Sequence, residues 1–246
     1  GKFFDIADDF VDGQKQDIAY LRKKLNEDFE TCQVRKAVAE CLINAAVFGT
    51  GIGEVVIEEI KEMAPAKEPV MGGALEAVGV NITDRVVVKL KPVLPQNFLI
   101  DPVATSIENA YGVAVDEFVS RHSVEILQEQ GVYRDAIIES AAADTDLEPD
   151  QYFTIYNDDK VRLTKYYGLV PRDLLEAEDV ETEGDSKFVE AIVVIANGGT
   201  LLKAEENPYM MFDRPVVAFP YDVVPGRFWG RGVCEKGYNS QKALDT

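Results

Sequence analysis

The spacing of apolar residues changes at Gly49, and this change constrains the fold more than any other feature of the sequence. Over residues 16–48, apolar side chains recur every three or four positions, which is the period of an amphipathic helix. The segment 54–60 that follows is short, rich in β-branched residues and preceded by glycine, as is typical of a strand. The sequence therefore predicts two helices, or one kinked helix, followed by sheet.

Local signals predict where these first elements begin and end. Thr31 is the expected N-cap of the second helix, and Gly49 is the expected left-handed stop after Phe48. The glycine run 49–53 is interpreted as this stop together with a close-packed turn. A nucleotide-binding loop would need the order strand, glycines, helix, whereas here the order is helix, glycines, strand.

The rest of the chain predicts mostly antiparallel sheet with one short helix. A loop rich in proline and glycine (65–73) is expected between the first two strands, Ser123 is expected to cap a helix over 124–130, and 176–185 reads as an acidic insert. Asn197-Gly198 predicts a hairpin with a type I′ turn. The expected strands are 54–60, 85–94, 97–102, 112–121, 152–156, 161–170, 189–196, 200–204 and 214–221. The predicted fold class is α+β.

Charge and cysteine content exclude several classes of protein. The chain has 25 Lys and Arg against 44 Asp and Glu, a net charge of −19, which disfavours binding to nucleic acid because phosphates are gripped by cations. Its three cysteines (Cys32, Cys41 and Cys234) have no C-x-x-C spacing, so neither a disulfide scaffold nor a structural zinc site is predicted. No apolar stretch approaches the roughly 20 residues of a membrane-spanning helix.

No catalytic or metal-binding pattern stands out. His122 is the only histidine, which excludes multi-histidine metal sites, and we expect it to be structural. Acidic residues alternate from Asp144 as in a calcium loop, but proline and isoleucine stand where glycine and glutamate are needed. Gly230-Arg231-Gly232 lacks the Lys-Ser/Thr ending of a P-loop. No cofactor, no metal and no enzymatic activity are therefore expected.

The order of motifs along the chain is more informative than any one of them. The apolar strand 214–221 precedes Phe228-Trp229-Gly230-Arg231-Gly232-Val233-Cys234-Glu235 and then Gln241-Lys242-Ala243-Leu244. Earlier come Ala45-Ala46-Val47-Phe48-Gly49-Thr50-Gly51 and Asn97-Phe98-Leu99-Ile100-Asp101-Pro102-Val103-Ala104. This order resembles the portal proteins of tailed bacteriophages, particularly those of short-tailed phages.

The resemblance implies the wing region of a portal subunit. Residues 1–246 are then one α+β domain with an N-terminal helical part, about residues 1–50, and the chain leads at its C-terminus into a long helix directed toward the stem. The chain ends within a predicted helix, so we expect a fragment without the stem, clip and crown. Phe228 or Trp229 is expected to anchor a turn into the wing core, with Gly230 and Gly232 flanking Arg231 and supplying backbone angles that a β-carbon forbids. Glu235 is expected in the first turn of the outgoing helix.

The resemblance also implies a structural role in the virion. Portal subunits form a ring, expected to be a dodecamer, at one capsid vertex, and the genome is packaged and ejected through it without tight binding. The expected partners are further copies of the chain, the major capsid protein, the large terminase subunit and tail adaptor proteins, with assembly in the host cytoplasm and no membrane. Two alternatives remain open, namely another phage ring or adaptor protein and a carboxylate-dependent hydrolase.

Overall fold

A computed structural model of the protein describes residues 15–69, 75–138, 160–182, 184–209 and 213–244. The chain divides into two compact units, the first formed by residues 1–43 and 53–92 and the second by residues 44–52 and 93–246. The calcium-like stretch 144–155 and the strand predicted at 152–156 lie outside the described residues. The single domain over 1–246 stays a prediction.

The described residues begin with the two predicted helices, α1 (Lys15–Thr31) and α2 (Val34–Phe48). The boundary between them differs from the prediction, because Thr31 is the last residue of α1 and its hydroxyl donates to the carbonyl oxygen of Glu27 instead of capping α2. The break falls at Gln33, which has a positive φ of 52°.

Two long strands follow, β1 (Thr50–Pro69) and β2 (Leu75–Val93). They are hydrogen-bonded neighbours, as predicted, but residues 65–69 of the expected loop are part of β1. In the first unit, Glu58 of β1 accepts a hydrogen bond of 2.6 Å from Nζ of Lys89 on β2, and this bond raises the pKa of the lysine. Burial raises the pKa of the Cys41 thiol on α2.

The second unit is built on a five-stranded antiparallel sheet in the order β3-β4-β5-β6-β7. The strands are β3 (Phe98–Ile100), β4 (Gly112–Ser120), β5 (Lys160–Pro171), β6 (Phe188–Ala196) and β7 (Thr200–Glu206), and β8 (Val216–Pro220) is a neighbour of β1. The helices are α3 (Arg121–Glu129), α4 (Arg172–Glu176) and α5 (Val233–Leu244). The α+β class with N-terminal helices and antiparallel sheet is confirmed.

Two local predictions in this unit have definite outcomes. The β6–β7 hairpin is confirmed, with positive φ angles at both Asn197 (48°) and Gly198 (75°), as a type I′ turn requires. The helix start was wrong, because α3 begins at Arg121 and its N-cap is Ser120, whose hydroxyl accepts a 3.2 Å bond from the amide of Ser123. Serine is a preferred N-cap residue at either position. In the structure the strand ends and the helix begins three residues earlier than predicted.

Leu175 of α4 packs with Val189 and Ala191 of β6 on one face of the sheet, and the larger part of the core of the second unit lies against the other face. Residues that share this face alternate along β4, β5 and β6, so that Val113, Tyr167 and Ile192 stand in register and pack in one hydrophobic cluster. A second cluster, around Val124 of α3 and Leu202 of β7, lies toward the other end of the strands. The long stem-directed helix is not shown, since α5 has 12 residues. None of the described helices is long and apolar enough to cross a membrane.

Candidate assembly site at the start of the last helix

The predicted site residues lie where β8 leads into α5, and the end of α2 meets them there. The amide of Tyr221 donates to the carbonyl oxygen of Gly49 at 2.8 Å. The amide of Gly230 donates to Oγ1 of Thr50 at 2.9 Å, across 180 residues of sequence. We call residues 47–50, 220–222 and 230–232 the glycine joint. Two motifs that are far apart in the sequence therefore form one structural element.

Lack of space explains the three glycines of this joint. A β-carbon on Gly49 would come within 3.0 Å of the backbone of Gly230 and Gly232, and one on Gly232 would be equally close to the carbonyl of Val47. A β-carbon on Gly230 would meet the carbonyl oxygen of Gly49 and the side chain of Pro220. Such distances do not occur in real structures, so larger residues could fit only if the backbones moved apart.

Backbone angles matter at only one of these glycines. Gly49 has a φ of 96° and ends α2, which confirms the predicted left-handed stop. Gly230 and Gly232 do not lie in the left-handed region, so the expectation that they supply forbidden backbone angles was wrong. The predicted turn at 49–53 also differs from the structure, because Gly51 and Gly53 are part of β1.

Thr50 belongs to the joint, but the sequence did not predict this. Its side chain is buried, and its hydroxyl oxygen is the acceptor for the amide of Gly230. Burying an amide without a partner is costly, so this hydroxyl satisfies a group that the turn would otherwise leave unpaired. The signal in the sequence was a polar residue between glycines that enter a strand, but its partner could not be identified without the fold.

Three aromatic rings anchor the joint to the core. Phe228 is 9% exposed and packs with Phe98 of β3 at a centroid distance of 5.8 Å. Trp229 meets Phe228 edge-on at 5.1 Å and Phe98 at 6.3 Å. Edge-to-face pairs at these distances stabilise beyond the area they bury. The predicted anchoring of the turn by Phe228 and Trp229 is confirmed, and their partner is the phenylalanine of the other quoted motif.

Arg214, just before β8, holds the loop between β3 and β4. Its Nη1 donates to the carbonyl oxygens of Ile107 (2.6 Å) and Ala110 (2.8 Å), and its Nη2 donates to the carboxylate of Glu190 on β6 (2.7 Å). Its side chain is 7% exposed. Because guanidinium presents several donors in a fixed plane, one side chain ties the loop to the sheet. The sequence showed this residue only as the start of a strand.

The remaining predicted residues lie at the surface where α5 begins. Arg231 and Glu235 are exposed, and Glu235 is in the first turn of α5, as predicted. Nζ of Lys236 forms a 2.8 Å ion pair with Asp222 and lies 5.6 Å from the ring centre of Tyr221. The hydrogen bond and charge of Lys236 lower the pKa of the Asp222 carboxyl. This ion pair ties the first turn of α5 to the segment after β8.

The comparisons with known proteins agree with the motif order. A protein-family model described as "Phage SU10 portal protein" matches residues 27–244, which covers every segment of the joint and of the aromatic cluster. The chain belongs to the phage SU10 portal protein family. A comparison with curated proteins gives no match.

The glycine joint of this portal protein is held by hydrogen bonds that join backbone amides to backbone carbonyls or to the Thr50 hydroxyl. The charged groups beside it are the Asp222–Lys236 ion pair and the exposed Arg231. His122 lies exposed on α3, away from any of these segments in sequence. Across the described ranges, no group of three or more His, Cys, Asp and Glu side chains is placed to hold a metal ion.

Proposed function

We propose that this portal protein forms a closed ring of twelve copies at a single capsid vertex, through which the genome is packaged and ejected. The family match over residues 27–244 is the observation that carries this proposal. In this proposal residues 1–246 are the wing region of the subunit. Terminase docks on the ring during packaging, tail adaptors dock on it afterwards, and the capsid protein surrounds it, all assembled in the host cytoplasm.

The joint gives the wing a defined exit for the last helix. Phe228 and Trp229 fix the turn in the core, and Gly230 and Gly232 let it lie directly on the end of α2. Arg231 and Glu235 stand on the exposed side, where α5 begins. We propose that these residues set the direction of α5 relative to the sheet of the second unit. A ring needs this direction to be the same in every subunit, because one repeated rotation must close it.

We propose that this portal protein has no enzymatic activity and that its role is structural. The order helix, glycines, strand at 49–53 supports the absence of a phosphate-binding loop. We therefore expect no ATP hydrolysis by the purified protein, with the motor activity belonging to the terminase. Hydrolysis that disappears in a Gly51 or Gly53 variant would contradict this view.

Electron microscopy and native mass spectrometry of the purified full-length portal protein test the ring, whereas residues 1–246 alone could stay monomeric without contradicting it. We expect annular particles with a central opening and a mass of about twelve subunits. A protein that remains monomeric at every concentration would contradict the proposal. The variant Gly230→Val should reduce the yield of rings more than it reduces the sheet content measured by circular dichroism. If Gly230→Val formed rings at wild-type yield, the glycine joint would not be needed for assembly.

A further inference from the structure

The β6–β7 turn contains the one Asn-Gly pair of the sequence, Asn197-Gly198. An asparagine in such a pair can lose its side-chain amide without an enzyme, because the backbone nitrogen of the next residue attacks the side-chain carbonyl carbon and closes a five-membered imide. Glycine favours this attack, since it has no β-carbon to hinder the approach. The reaction also needs particular backbone angles at the asparagine, so the geometry of this turn determines whether it occurs in the folded protein.

The imide ring fixes the backbone angle ψ of the asparagine. Ring closure places the nitrogen of residue 198 on the same side of the Cα–C bond as Cβ. For an L-residue this requires a ψ of about −120°, which together with a positive φ defines the first central position of a type II′ turn. Asn197 already has a φ of 48°. A type I′ turn has a ψ of about +30° at this position, so one rotation of the peptide unit 197–198 gives the reactive geometry.

The hairpin accommodates this rotation without losing its pairing. Types I′ and II′ are the two favoured turns of two-residue hairpins. The bond that closes the turn, from the amide of Gly199 to the carbonyl oxygen of Ala196 (3.1 Å), joins groups outside the rotating peptide unit and belongs to both types. Gly198 accepts the new φ because glycine takes either sign. A β-carbon on Gly198 or Gly199 would meet nothing within 4 Å, so the turn has room to move.

A hydrogen bond to β5 restrains the side chain of Asn197. Its Oδ1 accepts a 2.9 Å bond from the amide of Arg162, while its backbone amide donates to the carbonyl oxygen of Arg162 at 2.8 Å. The side chain must leave the first bond to meet the nitrogen of residue 198, whereas the second bond lies outside the rotating peptide unit. A neutral hydrogen bond of this kind contributes little net free energy, so it slows the reaction without preventing it.

We propose that Asn197 is a deamidation site of the folded portal protein. The nitrogen of Gly198 bonds to Cγ of Asn197 and the Cγ–Nδ2 bond breaks, so that Nδ2 leaves as ammonia with the proton of the Gly198 amide. Water then opens the imide. Hydrolysis at Cγ leaves aspartate, and hydrolysis at the main-chain carbonyl leaves isoaspartate, in which the chain continues through the side chain. Water is the one co-reactant, and no atom is oxidised or reduced.

The two products affect the hairpin differently. Aspartate keeps an oxygen where Oδ1 was, so the Arg162 amide retains an acceptor, which is now charged and binds more strongly. Isoaspartate lengthens the backbone by one methylene group within a two-residue turn, which disturbs the pairing of Ile195 with Leu201. The family makes this protein a component of the virion. Because an assembled subunit is not replaced by synthesis, the modified fraction should increase with the age of the particle.

Peptide mapping by mass spectrometry tests this proposal on the purified full-length portal protein, incubated at mildly alkaline pH under conditions in which it stays folded. Aspartate and isoaspartate should accumulate at residue 197, each with one heavy oxygen atom when the water is labelled. Asn109 is the internal control, because it precedes an alanine and its Oδ1 accepts bonds from the amides of Thr105 and Ser106. It should remain asparagine over the same period.

Two aspartate substitutions separate the attack by residue 198 from the effect of added charge. Gly198→Asp keeps a residue that tolerates positive φ, and its β-carbon has room, so the hairpin should still form. That β-carbon lies beside the attacking nitrogen and raises the barrier, so Asn197 should be deamidated at least about tenfold more slowly than in the wild type. Gly199→Asp adds the same charge one residue later, leaves the Asn-Gly pair intact and should react as the wild type does.

Three outcomes would overturn the proposal. If Asn197 stays unmodified in the folded protein while a synthetic peptide of residues 194–201 is converted, the hairpin protects it. Equal rates in Gly198→Asp and Gly199→Asp would exclude attack by the nitrogen of residue 198. Loss of hydrogen-exchange protection along β6 and β7 in the aspartate product would show that the hairpin does not accommodate the ring. None of these outcomes bears on ring formation, so the proposed function is tested separately.

Discussion

Crowding determines residue identity at the glycine joint. Gly49, Gly230 and Gly232 lie so close that the backbone of one occupies the place of another's β-carbon. Only Gly49 also needs its positive φ. Even the smallest substitution at the other two would therefore separate the end of α2 from the start of α5.

We predict that Gly230→Ala lowers the free energy of unfolding by about 1 to 3 kcal/mol, the usual cost of overpacking. The added methyl would meet the carbonyl oxygens of Gly49 and Asp222. The matched control is Gly199→Ala in the β6–β7 turn, where a β-carbon meets nothing within 4 Å and φ is not left-handed. Urea denaturation compares the two, and equal stabilities would show that the joint has room to relax.

The sequence could predict part of this site. Aromatic residues beside glycines indicate an anchored turn, and Phe228 and Trp229 are anchored as expected. Glycine at 230 was predicted for its conformational freedom, whereas the structure shows that the reason is a neighbour distant in sequence. The same limit applies to Thr50, because a threonine that accepts one buried bond looks like any other strand threonine until its donor is known.

At the scale of elements, Arg214 connects three parts of the second unit. It joins the loop after β3 to β6 from a position just before β8, with both members of its ion pair largely buried. Removing one partner leaves Glu190 with an uncompensated charge and two loop carbonyls without donors. A loop fixed by one side chain should therefore lose its order when that side chain is shortened or made apolar.

We predict that Arg214→Met costs about 3 to 5 kcal/mol of stability, as expected for breaking a buried pair. Amides between 104 and 110 should also exchange faster with deuterated solvent. Arg134→Met is the matched control, since Arg134 likewise pairs with a glutamate and donates to a carbonyl but is exposed, so its loss should cost less than about 1 kcal/mol. Similar losses of stability in both variants would contradict the proposal that Arg214 holds the loop between β3 and β4.

The ion pair between Asp222 and Lys236 ties α5 to the segment after β8, and it makes this attachment sensitive to pH. Since the pKa of Asp222 is lowered in the folded protein, the pair stabilises the fold above the ordinary carboxyl pKa of about 4 and is lost as the pH falls through the lowered value. We predict that Lys236→Met raises this pKa toward its ordinary value.

Carbon-13 NMR titration of the Asp222 carboxyl measures this change directly. Lys242→Met removes the same charge from the far end of α5, so it should leave the titration near that of the wild type. If Asp222 titrates alike in both variants, its lowered pKa comes from the charges of the protein as a whole. The ion pair with Lys236 then holds α5 less strongly than its geometry indicates.

Elements were predicted with uneven success, for physical reasons. Helical periodicity before Gly49 and the Asn-Gly turn act locally, and both appear as predicted. The boundary at Thr31 failed because a threonine near a helix end can bond backward to its own helix as easily as cap the next. The length of β1 was underestimated, because a proline such as Pro65 weakens a strand without ending it, and β1 continues to Pro69.

The whole molecule is dominated by negative charge, with 44 acidic residues against 25 basic ones. Most of this negative charge lies on the second unit. Duplex DNA is itself a polyanion, and binding to it depends on cations that displace its counterions. A protein with this balance should repel DNA at low salt, where screening is weakest.

We therefore predict no complex with duplex DNA in an electrophoretic mobility-shift assay at low salt, up to about 10 µM protein, a range in which basic proteins bind without sequence preference. A basic protein of similar size, run in parallel, shows that the assay detects such binding. A shifted band that weakens as salt is added would mean that a local cationic surface grips the phosphates despite the net charge. Absence of binding at every salt concentration is the behaviour that the proposed role as a passage for DNA requires.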